Sequence, residues 1–226
     1  MEELLERYGK LLSKVDHWFA ACLSRFPVEI ACGRGCSECC RSLFDITLLD
    51  AMLLRRGLDR LPDTLREEVL RKAEARLSDL GQIWPEFSHP HILNCHPEEK
   101  WEAVLSDAAD ETPCVLLGED GHCLLYDFRP MTCRLHGLPQ VDISGEVMDD
   151  AWCTKNFTTQ DPLSQAGLRG EFVDIFRTET RLIAAFNELM TGTPTTKLDT
   201  LISAALLVNF VGHDWRRWLR DHSGLR

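Results

Sequence analysis

The chain has 226 residues, with 36 acidic and 25 basic side chains and a formal net charge of −11. That balance argues against nonspecific nucleic-acid binding, which rests on lysine and arginine neutralising phosphates. A hydrophobic content of 44% with six tryptophans is enough for a real core, so metal need not be the sole support of the fold, and the length fits a single domain over residues 1–226.

The opening string MEELLERYGK is charged and amphipathic, unlike the basic start and apolar run of a secretory signal. No stretch reaches the roughly 18 apolar residues of a membrane span. The longest candidate, Leu201 to Val211, is broken by Ser203 and Asn209. A cytoplasmic protein with no membrane partner is therefore expected, and thiols stay reduced in that compartment.

In chain order, residues 1–26 read as one amphipathic helix. Leu4, Tyr8, Leu11, Val15, Trp18, Cys22 and Phe26 recur every three or four positions on one face. Cys22 belongs to that apolar stripe and is expected to pack as a small hydrophobe. Pro27 ends the helix. A cysteine-rich loop follows, in which Gly33 and Gly35 permit a tight backbone. A helix resumes near Thr47, with Leu48, Met52 and Leu53 inward, and another starts with Pro62 at a first-turn position. Its Glu67–Arg71 and Glu68–Lys72 pairs mark a solvated face. Residues 81–98 are irregular, and the HPHILNCH string there fits no standard ligand spacing. A short helix is expected from Pro97 to Asp110.

The block from Pro113 to about Asn156 reads as short strands and turns. CVLLGEDGHCLLY has the pattern of a hairpin that brings Cys114 and Cys123 together, and VDISGEVM repeats it around Ser144–Gly145. RPMTCRL between them is expected to form one helical turn after Pro130. Helices return in FVDIFRTETRLIAAFNELM, KLDTLISAALLVNF and HDWRRWLR, giving a helical extension over 167–222 to match that over 1–26. No nucleophile–base pairing, Gly-rich phosphate loop or HExxH string stands out there.

The functional signal lies in the cysteines. Cys32, Cys36, Cys39 and Cys40 fall within nine residues, and Cys114, Cys123, Cys133 and Cys153 follow. In a reducing compartment such density reads as metal binding rather than as a disulfide framework. Tetrahedral zinc takes four Cys or His ligands, and iron–sulfur clusters take four thiolates. Eight cysteines match two such sets, and the vicinal Cys39 and Cys40, whose side chains diverge, suit different metals. Arg34, Arg41, Arg129, Arg134 and Lys155 stand close to these cysteines and are expected to balance thiolate charge. His136, three residues after Cys133, is a substitute ligand; His122 belongs to a turn. Tyr126 and Arg129 are candidates for lining an open face of the site.

The run Cys32-x3-Cys36-x2-Cys39-Cys40, with Pro113-Cys114, Gly121-x-Cys123, Tyr126, Arg129-Pro130 and Cys133-Arg134, resembles the CxxCxxCC cysteine-cluster family of zinc- or iron-chelating, YkgJ-like proteins. The resemblance covers roughly residues 30–155 and implies metal chelation without an established reaction. A related cluster occurs in flagellin lysine methylases, which are longer chains.

The expected fold is α+β, a small strand-and-loop metal core over 30–156 enclosed by amphipathic helices. The expected function is metal-ion binding through Cys32, Cys36, Cys39, Cys40, Cys114, Cys123, Cys133 and Cys153. Zinc is slightly favoured over iron or an iron–sulfur cluster, because hairpin pairs such as Cys114 and Cys123 suit a compact closed site. Two alternatives stand beside it: an iron–sulfur-dependent oxidoreductase or protein-modifying enzyme, and an interaction module whose zinc is structural.

Overall fold

The computed structural model describes residues 1–33, 35–41, 43–106, 110–222 and 224. The fold is α+β, mostly helical, with two small two-stranded antiparallel sheets.

The first helix, α1 (Glu2–Arg25), buries Leu4, Leu5, Tyr8, Leu11, Leu12, Val15 and Cys22 along one stripe. Glu2 and Glu3 at its start and Arg25 at its end complement the helix dipole. Strand β1 (Asp45–Thr47) leads directly into α2 (Leu48–Leu58). A capping box fixes that junction: Thr47 Oγ1 accepts the Asp50 N–H at 3.1 Å, and the Asp50 carboxylate accepts the Thr47 N–H at 3.3 Å. Leu49, Ala51, Leu54 and Leu58 carry the buried face, whereas Met52 and Leu53, expected inward, are half-buried. The cap sets the rotation of the helix and turns those two toward its flank.

Helix α3 (Asp63–Ile83) follows, with Pro62 one position earlier than expected, at the cap, and Lys72 paired with Glu68 at 2.6 Å. Helix α4 (Glu98–Leu105) follows Pro97; of the expected extent to Asp110, residues 107–109 lie outside the described residues. Helix α5 (Met131–Leu135) is the turn expected after Pro130. Strands β2 (Gln140–Val141) and β3 (Val147–Asp149) form the second expected hairpin. The first, around GEDGH, closes as a turn with the single bridge Leu117↔Cys123 and makes no regular strand. With no third strand beside it, the segment turns its side chains into the core instead.

Helix α6 (Phe172–Thr191) ends at Gly192 in the left-handed conformation. The next segment corrects the sequence reading. KLDTLISAALLVNF, expected as a helix, opens with strand β4 (Asp199–Leu201) and continues as the single turn α7 (Ile202–Ala205). Strand β4 pairs with β1 in the register Asp45↔Leu201, Thr47↔Asp199, which satisfies backbone groups at a buried position. A short apolar run does not distinguish buried strand from buried helix, and here the distant partner decides. Helix α8 (Trp215–Asp221) closes the chain.

The largest core joins α1, α2, α6 and α8, with Tyr8, Leu49, Leu54, Phe172, Phe186 and Trp215 fully or almost fully buried. Helix α1 packs on both α5 and α6, so the helical ends wall the cysteine-bearing middle. Among the described residues no helix is long and apolar enough to cross a membrane.

Arg134, next to Cys133, is buried. It donates from Nε to Arg129 O at 2.9 Å, from Nη2 to Asp127 O at 2.8 Å, and from Nη1 to Asp16. Its guanidinium therefore ties the turn that presents Cys133 to α1. Arg134→Met leaves two carbonyls and a carboxylate without their donor and should cost about 2–3 kcal/mol in denaturant unfolding. A loss below about 0.5 kcal/mol, the range of an ordinary surface substitution, would refute this tie.

Candidate metal centre

The loop after α1 is held in place from far along the chain. The Ala31 N–H donates to Asn156 Oδ1 at 2.8 Å, and the Phe157 N–H donates to Glu29 O at 2.8 Å. Buried Asn156 also donates from Nδ2 to Gly137 O at 2.7 Å and to Cys32 Sγ at 3.2 Å. An N–H bonded to sulfur favours the thiolate. Gly137 has φ of +107°, and a Cβ there would stand 3.1 Å from Cys32 Sγ, so the close approach requires glycine. The Cys153 N–H donates to Gly137 O at 3.3 Å, which brings Cys153 to the same place. Asn156 is the functional residue that sequence reasoning missed. A loop asparagine three residues after a cysteine carries no pattern that would have marked it.

The remaining thiols gather around the turn Glu38–Arg41, which carries the vicinal pair. The Cys114 N–H donates to Cys40 O at 2.6 Å and stitches the two cysteine segments together. The GEDGH turn returns Cys123 beside Cys114, and α5 supplies Cys133. Cys36, Cys39, Cys40, Cys114, Cys123 and Cys133 share the walls of a cavity of about 90 Å³ with Phe44, Leu54, Leu116 and Ile202. A larger cavity of about 530 Å³, on the α1 side, opens onto Cys32, Cys36, Cys39 and Cys133.

The electrostatics follow that arrangement. Cys39 donates to the Cys40 sulfur, which holds Cys39 far above the usual thiol range and draws Cys40 below it. The pair thus shares one proton, which metal would displace. Burial raises Cys114 to about 11 and also raises Cys123 and Cys133, with neighbouring thiols adding to each. Burial raises Cys32 as well; the Asn156 bond opposes it, and Cys36, Cys153 and Cys39 reinforce it. Cys32 thus feels Cys36, Cys153 and Cys39, Cys40 feels Cys114, Cys123 and Cys133, and Cys39 bears on the three later thiols as well. Cys22 stands apart in the α1 core, pushed up to about 11 by burial, and Cys95 is exposed.

The flanking cations behave less simply than expected. Arg129 lowers Cys39, Cys123 and Cys133 as a charge balance would, and it also stacks on Tyr126 and lies 3.7 Å from Asp16. Both Tyr126 and Arg129 line the two cysteine cavities. Arg134 spends its donors on Asp16 and carbonyls rather than on thiols, because it is buried against α1. Lys155 pairs with Glu38 at 2.5 Å while feeling Cys36 and Cys153. Arg41 is exposed, and Arg34 lies outside the described residues. His136 lines both cavities and packs edge-on against Phe44; His122 sits in its turn beside Asp120.

Among the described residues no three Cys, His, Asp or Glu side chains stand in a geometry that would hold a metal ion as they are. The chemistry of the donors nonetheless fits a soft metal: eight thiols collected by the fold, one sulfur receiving an amide N–H, and a small enclosed space between six of them. No curated protein and no solved structure matches the chain. One family does, over residues 31–154 and so over more than half of the chain: these thiols and their spacing place it in the CxxCxxCC family, described as a "putative zinc- or iron-chelating domain".

Proposed function

We propose that the chain is a cytoplasmic zinc-chelating protein with two four-thiolate sets. Cys32, Cys36, Cys39 and Cys153 make one; Cys40, Cys114, Cys123 and Cys133 make the other. Residues 30–156 are the metal-bearing core, and 1–26 and 167–222 wall it within one domain. The observation that carries this reading is the tie of Cys32 to Cys153 through Asn156 and Gly137, apart from the thiols around the smaller cavity. Cys39 bears on Cys32 and also on Cys114, Cys123 and Cys133, so it stands between the two sets, and its assignment to the first leaves Cys40 to complete the second.

Zinc is the better candidate because all four thiols of the second set, with Cys36 and Cys39, line one small space backed by Phe44, Leu54, Leu116 and Ile202, as in closed structural sites. Bound there, it would supply cross-linking of three chain segments rather than redox chemistry. The cavity of about 530 Å³ over Cys32, Cys36, Cys39 and Cys133 favours a second reading, an iron–sulfur enzyme with room for a substrate.

Metal and sulfide analysis of protein purified without oxygen, with a visible spectrum, separates the two. The expected result is two zinc ions per chain, no sulfide and no colour. Brown protein with stoichiometric sulfide establishes the second reading instead, and a folded, metal-free chain with paired disulfides refutes chelation altogether.

A further inference from the structure

A separate cavity of about 410 Å³ includes His136 and Gly137 in its lining and none of the thiols. The β1–β4 ribbon, the β2–β3 hairpin, α2, α5 and α6 form its walls, and five carboxylates line it: Asp149 of β3, which accepts from Gln140 and Ala151, and the group of four Asp45, Asp50, Glu179 and Asp199. Asp45 and Asp199 stand on one face of the ribbon, since Asp45 pairs with Leu201 and Asp199 with Thr47. Asp50 is 2% exposed and its oxygens are taken up by Tyr8 Oη at 2.6 Å, Thr47 Oγ1 at 2.9 Å and the Met131 N–H at 3.2 Å. Tyr8 Oη also reaches Glu179 at 3.5 Å, and Asn94 Nδ2 donates to Asp199 at 2.9 Å.

Among the described residues none of these four carboxylates forms an ion pair. Collected negative charge at partly buried positions is costly without a cation. Burial first, then Asp50, raises Glu179 to about 8; burial first, with Asp45 and Asp50 adding to it, raises Asp199 to about 6. The carboxylates are spread too widely to enclose a metal ion as they stand. The remaining walls combine polar groups, among them His136, Gln140 and Asp149, with an apolar and aromatic side that includes Leu138, Phe176, Ile183 and half-exposed Trp152. A space of this size with an acidic side and an apolar side has the form of a small-molecule pocket.

We infer that this cavity binds an organic cation, a protonated amine on a short apolar body, with the ammonium group held by Glu179 and Asp199. The apolar body lies against Phe176, Ile183 and Trp152, and the saturated Asp50 contributes fixed charge from behind. This inference stands on its own residues and does not depend on which metal the thiols hold.

Calorimetric titration of the full-length, metal-loaded protein at pH 8.5 tests it. The probes are n-butylammonium and phenethylammonium, both still cationic at that pH. Saturable binding of one equivalent is expected. Glu179→Gln and Asp199→Asn should each weaken it about tenfold, the scale of one charged hydrogen bond. Neutral n-butanol should show none. Both substitutions are nearly isosteric and remove repulsion; Asp45→Asn, on the opposite edge of the ribbon, is the replacement should either fail to fold. Failure of both amines to bind overturns the inference. Equal binding of n-butanol would make the pocket merely apolar, and displacement of the amine by Mg²⁺ or Ca²⁺ would make it a metal site; either result also overturns it.

Discussion

Replacing Cys133 with serine is expected to remove one metal equivalent per chain and to lower stability by on the order of 5 kcal/mol, while Cys22→Ser leaves metal content unchanged. The two thiols are alike in being deeply placed, and burial pushes both above the usual thiol range. They differ in company. Cys22 packs with Ile30, Leu138, Phe157 and Leu168, and its sulfur is 4.0 Å from Gly167 O, so serine there exchanges packing for a buried hydroxyl. A cost of about 1–3 kcal/mol follows from that exchange. Cys133 faces Cys114, Cys123 and Cys39 instead. Site formation is coupled to folding, and a structural zinc site contributes about 10–16 kcal/mol in small domains. Only a part of that is at risk here, because α1, α2, α6 and α8 supply a hydrophobic core of their own, against which Cys114, Cys123 and Cys133 pack. Elemental analysis with denaturant unfolding of both variants reads the difference. Equal metal loss from the two would mean that the α1 stripe had been assigned the wrong role. Cys153→Ser and Cys114→Ser add a finer test: each should lose one equivalent and keep the other, and loss of both from either would show a single shared centre.

The parts of this protein that were legible in its sequence are those set by local pattern. The α1 stripe from Leu4 to Cys22 repeats at helical spacing, and the Ser144–Gly145 turn between two short runs gives β2 and β3. The eight candidate ligands could be named because few other roles collect so many thiols. What stayed hidden depends on contacts between distant segments. Strand β4 is three residues long and owes its conformation to β1, which precedes it by most of the chain. The approach of Cys32 to Cys153 rests on Gly137 and Asn156, whose backbone and amide bring the two together. The acidic cavity draws Asp45, Asp50, Glu179 and Asp199 from three separate stretches, none of which is unusual in charge by itself.

That cavity also sets the second large effect: at pH 8.5, Glu179→Gln is expected to be more stable than the parent chain by about 2–3 kcal/mol, and at pH 4 the two should be nearly equal. Glu179 lies on α6 facing Tyr8 of α1, Asp50 of α2 and Asp199 of β4, with Asp45 of β1, Asp149 of β3 and His136 after α5 lining the same space. Burial and the negative neighbours raise its carboxyl to about 8, against about 4.3 for an unperturbed glutamate. The folded state therefore holds a proton that the unfolded state releases. The stability this contributes is fully present below about pH 4 and is lost as pH rises through about 8. Every tenfold difference in proton affinity between the folded and unfolded chain is worth about 1.4 kcal/mol, and relaxation of a half-open cavity reduces the total to about 2–3 kcal/mol. Glutamine keeps the shape, has no charge to acquire, and so escapes the loss. Buried thiols also titrate over this range, but they do so equally in both proteins, and the difference between the two isolates Glu179. Denaturant midpoints at the two pH values, measured without added amine, supply the comparison. Parallel pH profiles would show that Glu179 ionises freely in the folded chain. A saturating amine should narrow the gap at pH 8.5, because a cation beside the carboxylates stabilises the charged parent and finds less to bind in the variant.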